Sequence, residues 1–171
     1  QAAADHVLSF NLRRVVITGG EPMLQQSALI DLIDHLRNAD DAFHIEIETN
    51  GTIAPVAALA AKIDQYNVSP KLAHSGNADQ LRLKSDVLAW YADIPHAYFK
   101  FVVAEETDLL EVDELIDRMA LTRDRVFLMP EGVRSEVLRA RARWLSDAAL
   151  ERGLRYSDRQ HIHTHGDARG T

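Results

Sequence analysis

The sequence of 171 residues contains no cysteine and no long hydrophobic run. Without a thiol the chain cannot form a disulfide, a thiolate zinc site, a cysteine nucleophile or a cysteine-held iron–sulfur cluster. No stretch approaches the length of a membrane span, and the first residues lack the apolar core of a secretory leader. We therefore expect a cytoplasmic protein that does not enter a membrane.

The chain also lacks an excess of positive charge, and its formal net charge is −7. A net negative charge argues against general binding of nucleic acids, although small anionic ligands stay possible. Four arginines do cluster locally, and we interpret them as a solvated helix face or a dimer contact: Arg134, Arg139, Arg141 and Arg143. With 46% hydrophobic residues, the sequence predicts one domain over 1–171 with a sizeable core.

Periodicity predicts strands that alternate with helices along the whole chain. The predicted strands end near residues 17, 49, 68, 103, 129 and 163, and the predicted helices cover 24–36, 55–62, 85–91, 107–119 and 135–152. Leu24 and Leu150 belong to the apolar faces of the first and last of these helices. Such alternation favours a parallel sheet flanked by helices.

The segment from Val15 to Gln25 is the most informative stretch. A β-branched run stops at Thr18-Gly19-Gly20-Glu21-Pro22, after which helical periodicity begins. Paired glycines leave backbone N–H groups open to a ligand, and a proline suits the first turn of a helix. Glu21 would repel a phosphate, so its expected partner is a cation or an amine.

Polar motifs follow the other predicted strands as well. Glu48-Thr49-Asn50-Gly51, Ser69-Pro70-Lys71 and Pro130-Glu131-Gly132 each come directly after a strand. In parallel α/β folds the carboxyl ends of the strands form the ligand-binding edge. The polar segment 72–79 is long enough to be a surface lid or substrate loop beside that edge.

These motifs, taken in order, resemble one family of proteins. TGGEP, ETNGT, VSPKL, FKFVV, LMPEG and the ending RQHIHTHGDARGT are similar to the motifs of the 7-carboxy-7-deazaguanine synthases, in the radical S-adenosylmethionine superfamily. The resemblance spans nearly the whole chain. It implies an α/β fold, a partial (β/α) barrel with a mostly parallel sheet, from which the N-terminal strand is missing.

The resemblance implies a reaction and its cofactors. In this family 6-carboxy-5,6,7,8-tetrahydropterin contracts to 7-carboxy-7-deazaguanine and releases ammonia, in queuosine and deazapurine biosynthesis. S-adenosylmethionine supplies a 5′-deoxyadenosyl radical, a 4Fe–4S cluster delivers the electron and Mg²⁺ assists. The implied partners are the pterin substrate, an external electron donor and a second copy of the chain in a homodimer.

The resemblance also assigns residues to the site. The cofactor S-adenosylmethionine would contact Gly19, Gly20, Glu21, Ser69, Pro70 and Lys71, with Glu21 on its methionine ammonium. The substrate would contact Thr18 and Thr171, and the last residues, including Arg169 and Gly170, would close over it. Glu48 and Asn50 are expected to contribute to the architecture of the same edge.

The sequence departs from the family in one large respect. The CxxxCxxC loop that holds the cluster, together with the Mg²⁺ threonine and the first strand, is absent. We assign no catalytic residue and no metal ligand, and expect this chain alone to be inactive without the cluster-binding segment.

Three other interpretations stay open. The chain could be a different radical S-adenosylmethionine enzyme, such as a glycyl-radical activating enzyme, or a non-catalytic module for a nucleotide-like ligand. His161, His163 and His165 would share one face of a strand and could bind zinc, although solvated histidines are the simpler interpretation. Tyr98 and Lys100 are interpreted as sheet-face residues without a functional role.

Overall fold

The computed structural model describes residues 2–168, and six parallel strands form its single sheet. The strands are β1 (Arg14–Ile17), β2 (His44–Thr49), β3 (Gln65–Val68), β4 (Ala97–Val103), β5 (Val126–Pro130) and β6 (Arg155–Tyr156). The predicted α/β class is confirmed, and every strand pair is parallel.

Helices alternate with these strands. They are α1 (Ala2–Ser9), α2 (Gln26–Ala39), α3 (Ala57–Ala60), α4 (Asp79–Arg82), α5 (Ser85–Asp93), α6 (Asp108–Arg118), α7 (Ser135–Glu151) and α8 (Gln160–His165). Short 3₁₀ turns occupy Pro22–Gln25, Ala73–Ser75 and Arg123–Arg125. None of the helices described between residues 2 and 168 has the length and apolar character needed to cross a membrane.

The strand order β1-β2-β3-β4-β5-β6 follows the chain without a reversal. Right-handed connections between successive parallel strands carry the chain back along the same face each time. The helices therefore gather on one face of the sheet, as they do around a (β/α) barrel, and the sheet stays open within residues 2–168.

The two faces of the sheet differ in composition. On β4, Phe99, Phe101 and Val103 are buried, whereas Lys100 and Val102 between them are half-buried. The buried set packs against the helices and makes the core, in which Tyr66 contacts Tyr91 edge to face. Burial raises the pKa of the Tyr66 hydroxyl far above its ordinary value. The opposite face carries charged and polar side chains beside Val102 and Phe127, and it forms the floor of the site described below.

The end of the chain differs from the prediction. The final strand predicted up to residue 163 is only the two-residue β6, and residues 160–165 form α8. β6 pairs with β5 alone, so nothing on its other side extends the ladder within the described residues. The Asp158 carboxylate accepts a hydrogen bond from the Arg159 N–H (2.7 Å), immediately before α8 begins.

Other segments also depart from the sequence-based expectation. The helix predicted over 55–62 is the single turn α3. Leu24 and Leu150, predicted to face the core, are 77% and 81% exposed. Leu24 lies in a 3₁₀ turn, which rotates its side chain away from the face that the α-helical spacing implied. Leu150 lies one residue before the C-terminus of α7, on the solvent side.

Gly51 ends the turn after β2 and packs against the core. Its φ is +76°, and a Cβ built on it would lie 2.7 Å from Leu88 Cδ2 and 2.8 Å from Val68 Cγ1. Both the backbone conformation and the close neighbours therefore require glycine at this position. Gly76 has a similar φ of +74° but open space in front of it.

This pair of glycines gives a matched test of packing at the edge of the sheet. We expect Gly76→Ala to lower the free energy of unfolding by about 1–2 kcal/mol, from backbone strain alone. Gly51→Ala should cost about 1–3 kcal/mol more, because Leu88 and Val68 must move. Urea denaturation of both variants measures the difference, and equal losses would contradict the packing described here.

Candidate functional site

A cavity of about 290 Å³ opens at the carboxyl edge of the sheet. Every strand, or the segment that follows it, contributes to its wall: Thr18, Gly19, Gly20, Glu48, Thr49, Asn50, Asn67, Ser69, Lys71, Lys100, Val102, Met129 and Arg159. Parallel strands in sequential order bring these segments together, since all their carboxyl ends meet at the same edge. The wall is mostly polar, and it carries both carboxylate and cationic groups.

The turn after β1 presents bare backbone to the cavity. Gly19 has φ +139°, and no atom lies within 4 Å of the position that a Cβ would take on Gly19 or Gly20. Because glycine has no side chain, a ligand can approach the backbone closely at these two positions. The turn is exposed within residues 2–168, so a ligand reaches it directly.

Glu21 holds this turn in place through hydrogen bonds to its carboxylate. Its Oε1 accepts hydrogen bonds from the Met23 N–H (3.1 Å) and the Thr49 hydroxyl (2.8 Å), and its Oε2 accepts one from the Asn50 N–H (2.8 Å). The first bond caps the 3₁₀ turn, and the other two join it to the end of β2. One carboxylate thus fixes the relative position of two strand ends, although Glu21 itself does not line the cavity.

Glu48 is the acidic group inside the cavity. Its Oε2 accepts a hydrogen bond from the Thr18 hydroxyl (3.1 Å), and its Oε1 pairs with the Lys100 ammonium (3.1 Å). Lys100, to which the sequence analysis gave no role, is therefore a member of the site. Strand spacing could have indicated this, because alternate residues of neighbouring strands share a face.

A buried carboxylate supports the floor beneath this pair. Glu46 is 3% exposed, pairs with the Arg14 guanidinium, and accepts hydrogen bonds from the Asn67 amide (3.1 Å) and the Gln65 amide (3.2 Å). Asn67 in turn accepts a bond from the Gln65 amide (2.9 Å). The network orients the Asn67 amide, which lines the cavity.

The third strand delivers the residues of the SPK motif. Ser69 and Lys71 line the cavity, and the Ser69 N–H donates to the Thr49 carbonyl (2.8 Å). Pro70 between them is buried and does not line the cavity. A proline ring restricts φ to about −65°, which limits the backbone between these two lining residues.

Four further lining residues were not assigned to the site from the sequence: Asn67, Val102, Met129 and Arg159. Met129 comes from β5, and Arg159 follows β6 and donates to the Gly132 carbonyl (2.9 Å). Both belong to motifs named above, LMPEG and RQHIHTHGDARGT, but only the folded sheet places them beside the turn after β1. Thr171, Arg169 and Gly170, predicted to close over a substrate, lie outside the described residues.

The histidine-rich segment does not form the arrangement considered above. The prediction that His161, His163 and His165 share a strand face is wrong, because they lie on α8. His163 Nδ1 bonds to the Ser135 hydroxyl (2.6 Å), and its Nε2 faces Asp158 (3.3 Å). Within residues 2–168, no three or more His, Cys, Asp or Glu residues come together as a possible metal site.

The segment after Lys71, which the sequence predicted as a lid or substrate loop, is anchored to the start of α6. The His74 ring pairs with the Asp108 carboxylate (3.0 Å), which also accepts hydrogen bonds from the backbone N–H groups of Ala104 (2.7 Å) and Glu105 (3.1 Å). Burial raises the pKa of Asp108, but these bonds and the His74 contact outweigh it and leave the pKa below its ordinary value.

The chain is similar to known proteins both in sequence and in fold. No model of a protein family matches the chain. It is 38% identical over 157 residues to 7-carboxy-7-deazaguanine synthase of Pyrobaculum aerophilum, covering 91% of this chain and 67% of that protein. It is 35% identical over 177 residues to the synthase of Rhodopirellula baltica, covering 96% of this chain and 66% of that protein. The chain therefore spans about two thirds of the length of these relatives.

Solved structures show the same fold at low identity. A domain of pyruvate-formate lyase-activating enzyme from Bacteroides vulgatus superposes with a TM-score of 0.59 at 16% identity, over 84% of this chain and 97% of that one. Streptococcus suis SuiB bound to S-adenosylmethionine superposes with a TM-score of 0.54 at 13% identity, over 85% of this chain and 39% of that one.

The sequential parallel sheet and these likenesses define an α/β fold that the chain shares with the activating-enzyme domain and with SuiB. Within that class, the sequence identity to the curated relatives is decisive. The chain belongs to the 7-carboxy-7-deazaguanine synthase family.

The bonds of Glu21 lead to a prediction about stability. Glu21→Gln replaces one acceptor oxygen with an amide NH₂, so at least one of the donors from Met23, Thr49 and Asn50 loses its partner. We expect the free energy of unfolding to fall by about 1–3 kcal/mol. Glu114→Gln, on the exposed surface of α6, is the matched control and should change it little. Denaturant titration of both variants distinguishes the two positions.

Asp108 gives a prediction about pH. Because its folded pKa is lowered, its contribution to stability is complete above the ordinary value of 3.8 and is lost as the pH falls through the lower folded pKa. The variant Asp108→Asn should lose this part of the acid sensitivity and be less stable at neutral pH. Thermal unfolding followed between about pH 7 and pH 2.5 tests this. Parallel pH curves for the variant and the unaltered protein would contradict it.

Proposed function

We propose that this protein carries the cofactor and substrate edge of a 7-carboxy-7-deazaguanine synthase. The reaction is the ring contraction of 6-carboxy-5,6,7,8-tetrahydropterin to 7-carboxy-7-deazaguanine with release of ammonia. The observation that carries the proposal is the cavity, in which Thr18, Gly19, Gly20, Ser69 and Lys71 meet at one sheet edge, as the family resemblance requires. The identity to curated synthases supports it.

The residues present fit S-adenosylmethionine. The Lys71 ammonium and the Ser69 hydroxyl can bind the carboxylate and the ribose oxygens of the cofactor. The open space at Gly19 and Gly20 lets the cofactor approach the backbone of the turn. Glu21 uses its two oxygens for three bonds within the chain. A carboxylate has about four lone-pair sites, and we propose that the one not used by these three bonds accepts a hydrogen bond from the methionine ammonium. When bound, the cofactor supplies the radical that starts the reaction.

Glu48 and Thr18 suit the pterin. A pterin ring presents N–H and amino donors, and Glu48 is the carboxylate that faces the cavity. The Thr18 hydroxyl donates to Glu48 and so holds one carboxylate oxygen in place (3.1 Å). We propose that Glu48 orients the ring while Lys100 holds the other carboxylate oxygen in place through its ion pair (3.1 Å). Thr171 remains a proposed substrate contact.

The residues present do not fit a 4Fe–4S cluster or a Mg²⁺ site. The cluster requires thiolates, and the sequence has no cysteine. The described residues bring together no group of acidic or histidine side chains that could hold a metal. Thiolate ligands for a cluster would therefore have to come from outside these 171 residues, which span about two thirds of the relatives' length.

The partners expected from the family belong to the same proposal. We propose a homodimer that receives electrons from an external donor in the cytoplasm. The net charge of −7 supports the absence of a nucleic-acid partner.

A second candidate is a glycyl-radical activating enzyme. The superposition on a pyruvate-formate lyase-activating enzyme favours it. That likeness has 16% identity and shows the fold alone, whereas the synthase relatives share 38% and 35% with this chain. We therefore place the synthase first.

The test begins with the coding region upstream of Gln1, which should encode CxxxCxxC. The protein expressed from the complete gene, reconstituted anaerobically, should yield 5′-deoxyadenosine and 7-carboxy-7-deazaguanine from the carboxytetrahydropterin. Glu48→Gln should lower kcat/KM by about 10–100-fold, because it removes a charged acceptor from the substrate. Glu106→Gln, at an exposed position outside this cavity, serves as the control.

Two results would overturn the proposal. One is a complete gene without a cysteine motif, and the other is a reconstituted protein that cleaves S-adenosylmethionine without consuming the pterin. The second result would favour the activating-enzyme candidate, which a glycyl-radical assay on its partner enzyme would then identify.

A further inference from the structure

Arg82 is a buried cation immediately beside the proposed cofactor site. Its side chain is 4% exposed, although it belongs to the short surface helix α4. One guanidinium nitrogen, Nη1, donates to the Lys71 carbonyl (2.8 Å) and also pairs with Glu111. The other, Nη2, pairs with Asp79. The guanidinium thus joins the backbone of Lys71 to both α4 and α6.

Glu111 holds the other side of the same segment. Its Oε2 accepts a hydrogen bond from the Ala73 N–H (2.8 Å), two residues after Lys71, while its Oε1 pairs with Arg82. The carbonyl of Lys71 and the N–H of Ala73 are therefore fixed by one ion pair. The backbone around Lys71 cannot shift without breaking a bond to Arg82 or Glu111.

The position of this backbone decides where the lysine points. A second cavity of about 190 Å³, lined by Asn50, Thr52, Lys71, Asn77, Leu81 and Arg82, adjoins the main one. Lys71 and Asn50 line both cavities. A shift of the backbone at residue 71 would let the lysine side chain turn from the main cavity into the second one. From there the ammonium could not contact a ligand bound in the main cavity.

Stability alone is a weak reason for this arrangement. Burying an ion pair costs desolvation that its attraction does not reliably repay, and apolar residues of similar size often serve as well. Arg82 also leaves its Nε buried without a partner among the described residues. A cation held at this cost in a surface segment indicates a geometric requirement, and the carbonyl of Lys71 is the group that it fixes.

We propose that Arg82 is a positioning residue for cofactor binding, which holds the Lys71 backbone so that the lysine ammonium points into the main cavity. This inference rests on the proposed function, in which Lys71 contacts S-adenosylmethionine. Arg82 does not line the main cavity and acts through Lys71.

The experiment measures S-adenosylmethionine binding by calorimetry, under anaerobic conditions, with the reconstituted protein expressed from its complete gene. Arg82→Gln should weaken binding roughly tenfold, as for a residue coupled to a site that it does not touch. Arg82→Lys keeps the charge but not the planar fork, so it should restore only part of the affinity. Glu111→Gln should weaken binding in the same direction, since it loosens the same pair.

A double-mutant cycle separates positioning from a general structural effect. If Arg82 acts through Lys71, then Arg82→Gln should change the affinity little in a Lys71→Ala background. Hydrogen exchange without cofactor should be faster over residues 72–84 in Arg82→Gln than in the unaltered protein. The control is Arg123→Gln, which removes an arginine paired with Asp117 near the other end of α6 (3.6 Å).

The outcomes separate this inference from the proposed function. If the unaltered protein binds no S-adenosylmethionine, both are overturned. If Lys71→Ala weakens binding while Arg82→Gln and Glu111→Gln leave it unchanged, only the positioning role is overturned. Additive losses in the Arg82 and Lys71 cycle would also overturn it, because they would show that the two residues act independently.

Discussion

The carboxylate of Glu21 is the constraint on which the site depends. Three hydrogen bonds from Met23, Thr49 and Asn50 join the turn after β1 to the end of β2. Together with the Thr18–Glu48 hydrogen bond (3.1 Å), they hold in place two loops that line the cavity. The site therefore rests on a residue behind its wall, and the exposed glycines owe their position to it. The glutamate has a structural task whether or not a cofactor ammonium also reaches it.

The polarity of the sheet explains why a cavity can exist at all. One face is apolar and buried under helices, while the other carries Glu46, Glu48, Asn67 and Lys100. These charges are balanced within the face, since Arg14 pairs with Glu46 and Lys100 pairs with Glu48. A polar face whose groups already have partners can stay hydrated without weakening the core. In a closed barrel the same face would be the interior.

The features that could be predicted from the sequence are those determined by residues adjacent to each other in the chain. The strand-to-helix turn at Thr18 to Pro22 and the motif at Ser69 to Lys71 are recognisable because glycine and proline restrict the backbone locally. Lys100, Asn67 and Arg159 were missed because they enter the site only through strand register and strand order. The end of the chain was predicted as a strand for a related reason: local alternation cannot reveal that β6 has a single neighbour. Thr171 lies outside the described residues.

The ion pair of Glu48 and Lys100 has a consequence for how the site behaves in solution. The two side chains are 40% and 24% exposed, so water and dissolved ions reach them. At about 1 M salt the screening length is roughly 3 Å, comparable to the 3.1 Å that separates the charges. Concentrated salt therefore weakens this contact while the apolar layer beneath is unaffected or strengthened. In a crystal grown from high salt, this ion pair would therefore order the pocket less strongly than it does in dilute buffer.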